Sequence, residues 1–214
     1  MKADGTILAR KFIDFTSDKD RMIHAMNRTR RKQSKYGPKS VRGLWAYVKR
    51  LNEDRAKKIS AAIVEFASQH SVDAIVIEHL DFKGCKKRGS KAQRLSMWNH
   101  GIIREKVEQK AHLLGIRIAT ICAWKTSALA FDGSGSVTRD DNNHALATFT
   151  TGKQYNCDLS ASYNIGARYF IRELLKSLPA TEESRVKAKV PDAGRRTSCT
   201  LSTLRALVKE LSAA

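Results

Sequence analysis

The order of apolar and polar positions divides the 214-residue chain into a series of elements. "GTILARKFIDF" (5–15) alternates and is rich in β-formers, and it follows an Asp-Gly turn at Asp4 and Gly5, so it predicts a strand leaving a hairpin. Only three residues precede that turn, so the chain reads as starting in the middle of a fold. Residues 17–40 predict a helix capped by Ser17, with acids in its first turn and a Gly37-Pro38 breaker at its end. From Trp45 to His70, apolar positions Leu44, Val48, Leu51, Ala56, Ile59, Ile63 and Phe66 recur at three and four, as in a long amphipathic helix. "VDAIVIEHL" (72–80) is a continuous β-branched run, the pattern of a buried central strand.

A glycine-punctuated basic loop (81–96) follows, then a helix from Trp98 to Leu114 that stops at Gly115, then a strand, "IRIATICAW" (116–124). Residues 128–154 lack periodicity and read as an insertion or loop. Residues 158–176 predict a helix, 180–199 a linker, and 201–212 a short helix carrying Leu201, Leu204, Leu207, Val208 and Leu211. There is no internal repeat. Strands alternating with helices predict an α/β fold, a mixed sheet flanked by helices.

Charge changes the picture from fold to partner. Lys and Arg number 40 against 21 Asp and Glu, a formal charge of +19. That excess points to a polyanion, with nucleic acid the usual one and an anionic membrane surface the alternative. No apolar run approaches the roughly 18–20 residues that span a bilayer, and "MKADGTILAR" is no apolar signal segment, so the reading is a soluble, intracellular protein. Two basic clusters are candidate phosphate contacts: Arg28, Arg30, Arg31, Lys32 and Lys35 on the first helix, and Lys83, Lys86, Lys87, Arg88, Lys91 and Arg94 in the basic loop. Solvated surface is the alternative for the first. Trp45, Trp98 and Trp124 read as core residues, Trp98 being the strongest candidate for base stacking because it follows the basic loop. The four cysteines, Cys85, Cys122, Cys157 and Cys199, form no CxxC pair and read as reduced, partly buried thiols.

Two acids stand out. Glu78 ends an apolar strand, where α/β sheets place ligands and where an unpaired charge is costly. Asp158 opens the last long helix. Singly, they read as a salt-bridged strand-end acid and a helix cap. Together, in a basic chain, they form a candidate magnesium site, because hard cations take carboxylate oxygens and phosphodiester hydrolysis uses such ions.

"VIEHLDFKG", "SMWNHGIIREKVEQKAHLLGIRI", the Thr126-Ser127 pair and "CDLSASYNIGARYF" occur in that order, and the resemblance they carry covers residues 5–176. This order resembles the RuvC-like nuclease portion of transposon-encoded TnpB proteins and the type V CRISPR effectors. "DLSASYNI" resembles the family's closing "D-x-N-A-x-N-I" motif, with Ser160 in place of the first Asn. The resemblance implies an RNase H-like fold, with 1–127 and 155–178 as the RuvC-like domain, 128–154 at the zinc-ribbon position, and 179–214 as linker and C-terminal helix. It implies Glu78 as the second catalytic acid and Asp158 as the third, both as Mg2+ ligands. Thr126 and Ser127 match the Thr-Ser before the ribbon; both are expected to be structural, with a place near the nucleic-acid strand as the further candidate role of Ser127. It further implies guide RNA and target DNA as partners and a prokaryotic, nucleoid-associated cytoplasmic setting.

The chain departs from the family in two places. The leading catalytic Asp belongs on a strand ahead of the Asp-Gly turn; neither Asp4 nor Asp14 stands there, so the chain reads as a fragment, a split subunit whose first Asp comes from a second polypeptide, or a decayed relative. "ALAFDGSG" (128–135) replaces the first ribbon CxxC, and only Cys157 marks the second, so no zinc is expected. Three functions follow. The first is the RuvC-like portion of an RNA-guided DNA endonuclease, inactive until completed. The second is a nuclease-dead subunit for RNA-guided binding or repression. The third is a basic RNA scaffold, which leaves the placement of Glu78 and Asp158 unexplained.

Overall fold

The computed structural model describes residues 1–80 and 98–213. In chain order the elements are α1 (Thr16–Tyr36), α2 (Arg42–Gln69), β1 (Ala74–His79), α3 (His100–Leu113) and β2 (Arg117–Cys122). These are followed by β3 (Thr138–Arg139), β4 (Leu146–Thr148), β5 (Gln154–Asn156), α4 (Cys157–Ser177), α5 (Ala180–Lys189) and α6 (Leu201–Ser212). β1 and β2 are hydrogen-bonded neighbours in a two-stranded sheet, and β3-β4-β5 form a second, three-stranded sheet. The architecture is mixed α/β.

The chain forms two compact units. One gathers Met1–Arg10, a short piece beginning at Val76, and the chain from Ala119 onward; the other holds Lys11–Ile75 and the piece ending at Ile118. In the second unit, α2 packs against both α1 and α3. Its buried stripe is Val48, Asn52, Ala56, Ser60, Val64 and Ala67. The near four-residue spacing puts these side chains on one face, and Ala and Ser among them are small enough for a neighbouring helix to approach closely. α3 answers with Val107 and Ala111, both buried. The polar member, Asn52, is paired: its Nδ2 donates to Asn99 Oδ1 at 2.8 Å, and Asn99 Nδ2 donates to the Asn52 carbonyl at 2.6 Å. Val48 and Ala56 lie on the predicted face, whereas Leu44, Leu51, Ile59, Ile63 and Phe66 are only half-buried. The apolar pattern located the helix but not the line along which its partners sit.

In the first unit, α4 packs against α6. Ala167, Ile171 and Leu175 meet Leu201, Leu204 and Leu207, with Val186 of α5 alongside. Each fully buried Leu contributes about 1.5–3 kcal/mol relative to exposure. Thr200 and Thr203 close a reciprocal capping box at the start of α6. The insertion at 128–154 is built around an apolar cluster of Ala130, Ala147, Phe149 and Cys157. Phe131 meets Phe149, Tyr155 and Tyr163 edge-on, with ring centroids 5.6, 5.0 and 5.3 Å apart.

Several sequence expectations are corrected. Residues 6–15 form no strand: the turn is present, with Gly5 N–H on the Lys2 carbonyl at 3.0 Å, but no ladder follows. Alternation specifies an extended backbone, whereas a strand also needs a neighbour for its N–H and C=O groups. Gly5 is required there; φ is +81°, and a Cβ would lie 3.1 Å from Leu201 and Arg205 side-chain carbons. Ser17 is inside α1 rather than its cap, which is Phe15 with no side-chain bond. β1 is half-buried and belongs to a sheet of two described strands rather than standing as a buried central strand. Residues 128–154 hold β3, β4 and the start of β5 rather than loop alone. The expected linker at 180–199 contains α5, with acids in its first turn, lysines in its last, and one buried anchor, Val186.

Candidate nucleic-acid and metal site

Glu78 is half-buried near the end of β1. Its Oε1 accepts a hydrogen bond from the Thr126 hydroxyl. That hydroxyl also lies 3.0 Å from the Ala123 carbonyl, but its single hydrogen favours the charged acceptor. Thr126 is buried, at 3% exposure, so the contact fixes the acid from a rigid position. The Thr126 carbonyl is held in turn by Asn164 Nδ2 at 3.0 Å. Asn164 is fully buried; its amide also donates to the Leu129 carbonyl at 2.9 Å, and its Oδ1 accepts the Leu201 N–H at 3.2 Å. One side chain therefore joins the loop bearing Thr126, helix α4, and the first turn of α6, whose N–H groups have no partner inside the helix.

Asp158 lies six residues before Asn164 on α4, about 9 Å along the helix axis. Its cap reading is replaced. Asn156 is the N-cap, accepting from both Asp158 N–H and Leu159 N–H at 3.0 Å. The Asp158 carboxylate is exposed and has no hydrogen-bond or ion-pair partner among the described residues. Its place in the first turn is favoured by the helix dipole. Glu78 and Asp158 are therefore in the same unit, linked through Thr126 and Asn164.

Arg168, one turn beyond Asn164, was not anticipated. It is 5% exposed and donates to four carbonyls: Cys122 at 2.9 Å, Trp124 at 2.7 Å, Thr197 at 2.9 Å and Cys199 at 3.2 Å. Burial lowers its pKa from the ordinary guanidinium value, while Cys199, Cys122 and Glu78 pull it back up. Burial likewise pushes the Cys199 thiol up to about 11. The sequence signal was available: Asn164 and Arg168 are one helical turn apart on the face that α4 buries.

The remaining candidates fall in separate places. Arg28, Arg31, Lys32 and Lys35 are exposed on α1, and Lys35 Nζ sits 5.2 Å from the Tyr36 ring centroid. Arg30 is half-buried. Trp98 is exposed, its ring 5.7 Å from His100. Ser127 is half-buried and accepts from Arg139 Nη2 at 2.9 Å. Lys83, Lys86, Lys87, Arg88, Lys91 and Arg94 lie outside the described residues. Of the tryptophans read as core, Trp45 is half-buried, its Nε1 donating to Gln33 Oε1 at 2.8 Å, whereas Trp124 is 64% exposed; Trp98, the exception named for stacking, is 52% exposed.

Magnesium is commonly held by one or two carboxylates, with water and substrate phosphate completing its shell. Glu78 Oε2 and the Asp158 carboxylate are donors of that type. Among the described residues, no group of three His, Cys, Asp or Glu gathers as a metal site. No helix in the described residues is long and apolar enough to cross a membrane.

The structural class is shown by comparison. The chain has a mixed α/β arrangement, which is consistent with an RNase H-like fold. Among solved structures it is similar to a chain of the Cas12f1–sgRNA–target DNA complex, with TM-score 0.55 and 18% sequence identity over 74% of this chain. The match spans 44% of that protein, so this chain corresponds to less than half of it. No protein-family model matches the sequence, and no curated protein does.

Proposed function

We propose that this chain is the RuvC-like portion of an RNA-guided DNA endonuclease of the TnpB and type V CRISPR effector kind. The observation that carries the reading is the Glu78–Thr126–Asn164 connection. It links the strand-end acid to the helix that presents Asp158, within a fold shared with Cas12f1. Guide RNA and target DNA are its partners in this reading, as in that complex, and +19 of net charge favours both.

Bound magnesium would stabilise charge on the phosphodiester and lower the pKa of a water. The chain's own residues hold the geometry. Thr126 keeps Glu78 in one rotamer and leaves Oε2 available. Asn156 satisfies the helix terminus, leaving the Asp158 carboxylate available. Exposed Arg28, Arg31, Lys32 and Lys35 bind backbone phosphate without reading sequence. A further acid from another segment or polypeptide completes the ligand set.

The test is nicking of single-stranded DNA in magnesium by the chain assembled with guide RNA and a segment supplying that acid. Glu78→Gln and Asp158→Asn should each abolish cleavage while leaving nucleic-acid affinity within about twofold. Cleavage that survives both substitutions overturns the assignment. A second reading is a nuclease-dead subunit that binds without cutting, which the net charge of +19 favours equally. Its signature is binding by the same assembly with no cleavage in any divalent metal.

A further inference from the structure

The segment joining β2 to the Thr126 loop holds an exposed aromatic in a strained, tightly fixed backbone. Lys125 has φ +58°, in the left-handed region that residues with a Cβ seldom enter. Such a conformation is costly and persists only where the surroundings impose it. They do so here on both sides. The Trp124 carbonyl is gripped by Arg168 Nη1 at 2.7 Å. The Thr126 side chain is bound to Glu78, and its N–H reaches the Ala123 carbonyl at 3.3 Å. The Lys125 carbonyl accepts from the Ala128 N–H at 3.2 Å.

The result of that strain is the presentation of Trp124, with 64% of its surface exposed, and of Lys125, also exposed. Both are within two residues of the side chain that fixes Glu78. Arg139, bonded to Ser127, adds a second exposed cation next to the same loop. A large aromatic flanked by cations is the combination that binds single-stranded nucleic acid: the ring stacks on a base, and the charges take the phosphates.

We propose that Trp124 is a stacking platform for an unpaired base of single-stranded DNA, with Lys125 on an adjacent phosphate. Together they position the strand next to Glu78. This rests on the nucleic-acid reading above and adds to it the residue that selects single strands over duplex. Trp124 is a positioning residue; it holds the strand, and the chemistry belongs to others.

The experiment measures binding of fluorescein-labelled oligothymidine, and of a duplex of equal length, to the full chain at several salt concentrations. Base–aromatic stacking of about 1–3 kcal/mol makes Trp124→Ala weaken oligothymidine binding about 5- to 150-fold. Its salt dependence should be unchanged, and its duplex binding nearly so. Trp124→Phe, which keeps a ring, should recover most of the affinity. Lys125→Ala should instead reduce the salt slope by about 0.7. Wild-type binding with an unaltered Trp124→Ala variant overturns the platform while leaving the nucleic-acid reading intact. A wild-type chain that binds neither probe overturns both.

Discussion

Asn164 devotes its whole amide group to three backbone partners, the carbonyls of Thr126 and Leu129 and the N–H of Leu201. Removing one partner from a buried hydrogen bond leaves the other to bear the desolvation cost. Asn164→Ala should therefore lower stability by about 2–4 kcal/mol, read as a fall in the urea midpoint at unchanged m-value. A loss under about 0.5 kcal/mol would show that water replaces all three bonds. The residue was legible as part of "DLSASYNI", but its role was not. A side chain that binds segments 35 and 37 positions away leaves no local pattern. Asp158 teaches the complementary lesson. The sequence put an acid at the helix mouth, but Asn156, two residues earlier, takes the cap, so the cap reading of Asp158 fails.

At the scale of elements, Arg168 clamps the end of β2 and the segment before α6 through carbonyls of Cys122, Trp124, Thr197 and Cys199. A guanidinium can do this because its five donors spread in a plane; an ammonium has three, all on one atom. Arg168→Lys should thus be far from conservative, costing about 2–4 kcal/mol in chemical denaturation. It should also loosen the strained turn at Lys125, so oligothymidine affinity falls along with stability. Retained stability would show that the clamp is dispensable.

Elements differed in legibility for the same physical reason. The long helices α2, α3 and α4 announce themselves by apolar period, and α1 and α3 stop beside Gly37 and Gly115. α5 has a single buried anchor, Val186, and so too little apolar pattern to register. The extended segment 6–15 carried the alternation of a strand without a neighbour to make it one. β3, β4 and β5, of two or three residues each, are too short to show any period.

For the whole molecule, the mixed α/β class was readable from the order of helices and strands, and the likeness to a Cas12f1 chain agrees with it. The charge of +19 was readable too, but not its distribution. Arg28, Arg31, Lys32 and Lys35 stand exposed in one unit, while Glu78, Asp158 and Trp124 belong to the other. The measurement that most directly tests the central claim, that this chain grips nucleic acid electrostatically, is the affinity of the full chain for structured RNA and single-stranded DNA against salt. The four exposed α1 cations alone predict a log–log slope of about −3 or steeper. Failure to bind at low salt, or affinity independent of salt, would contradict it.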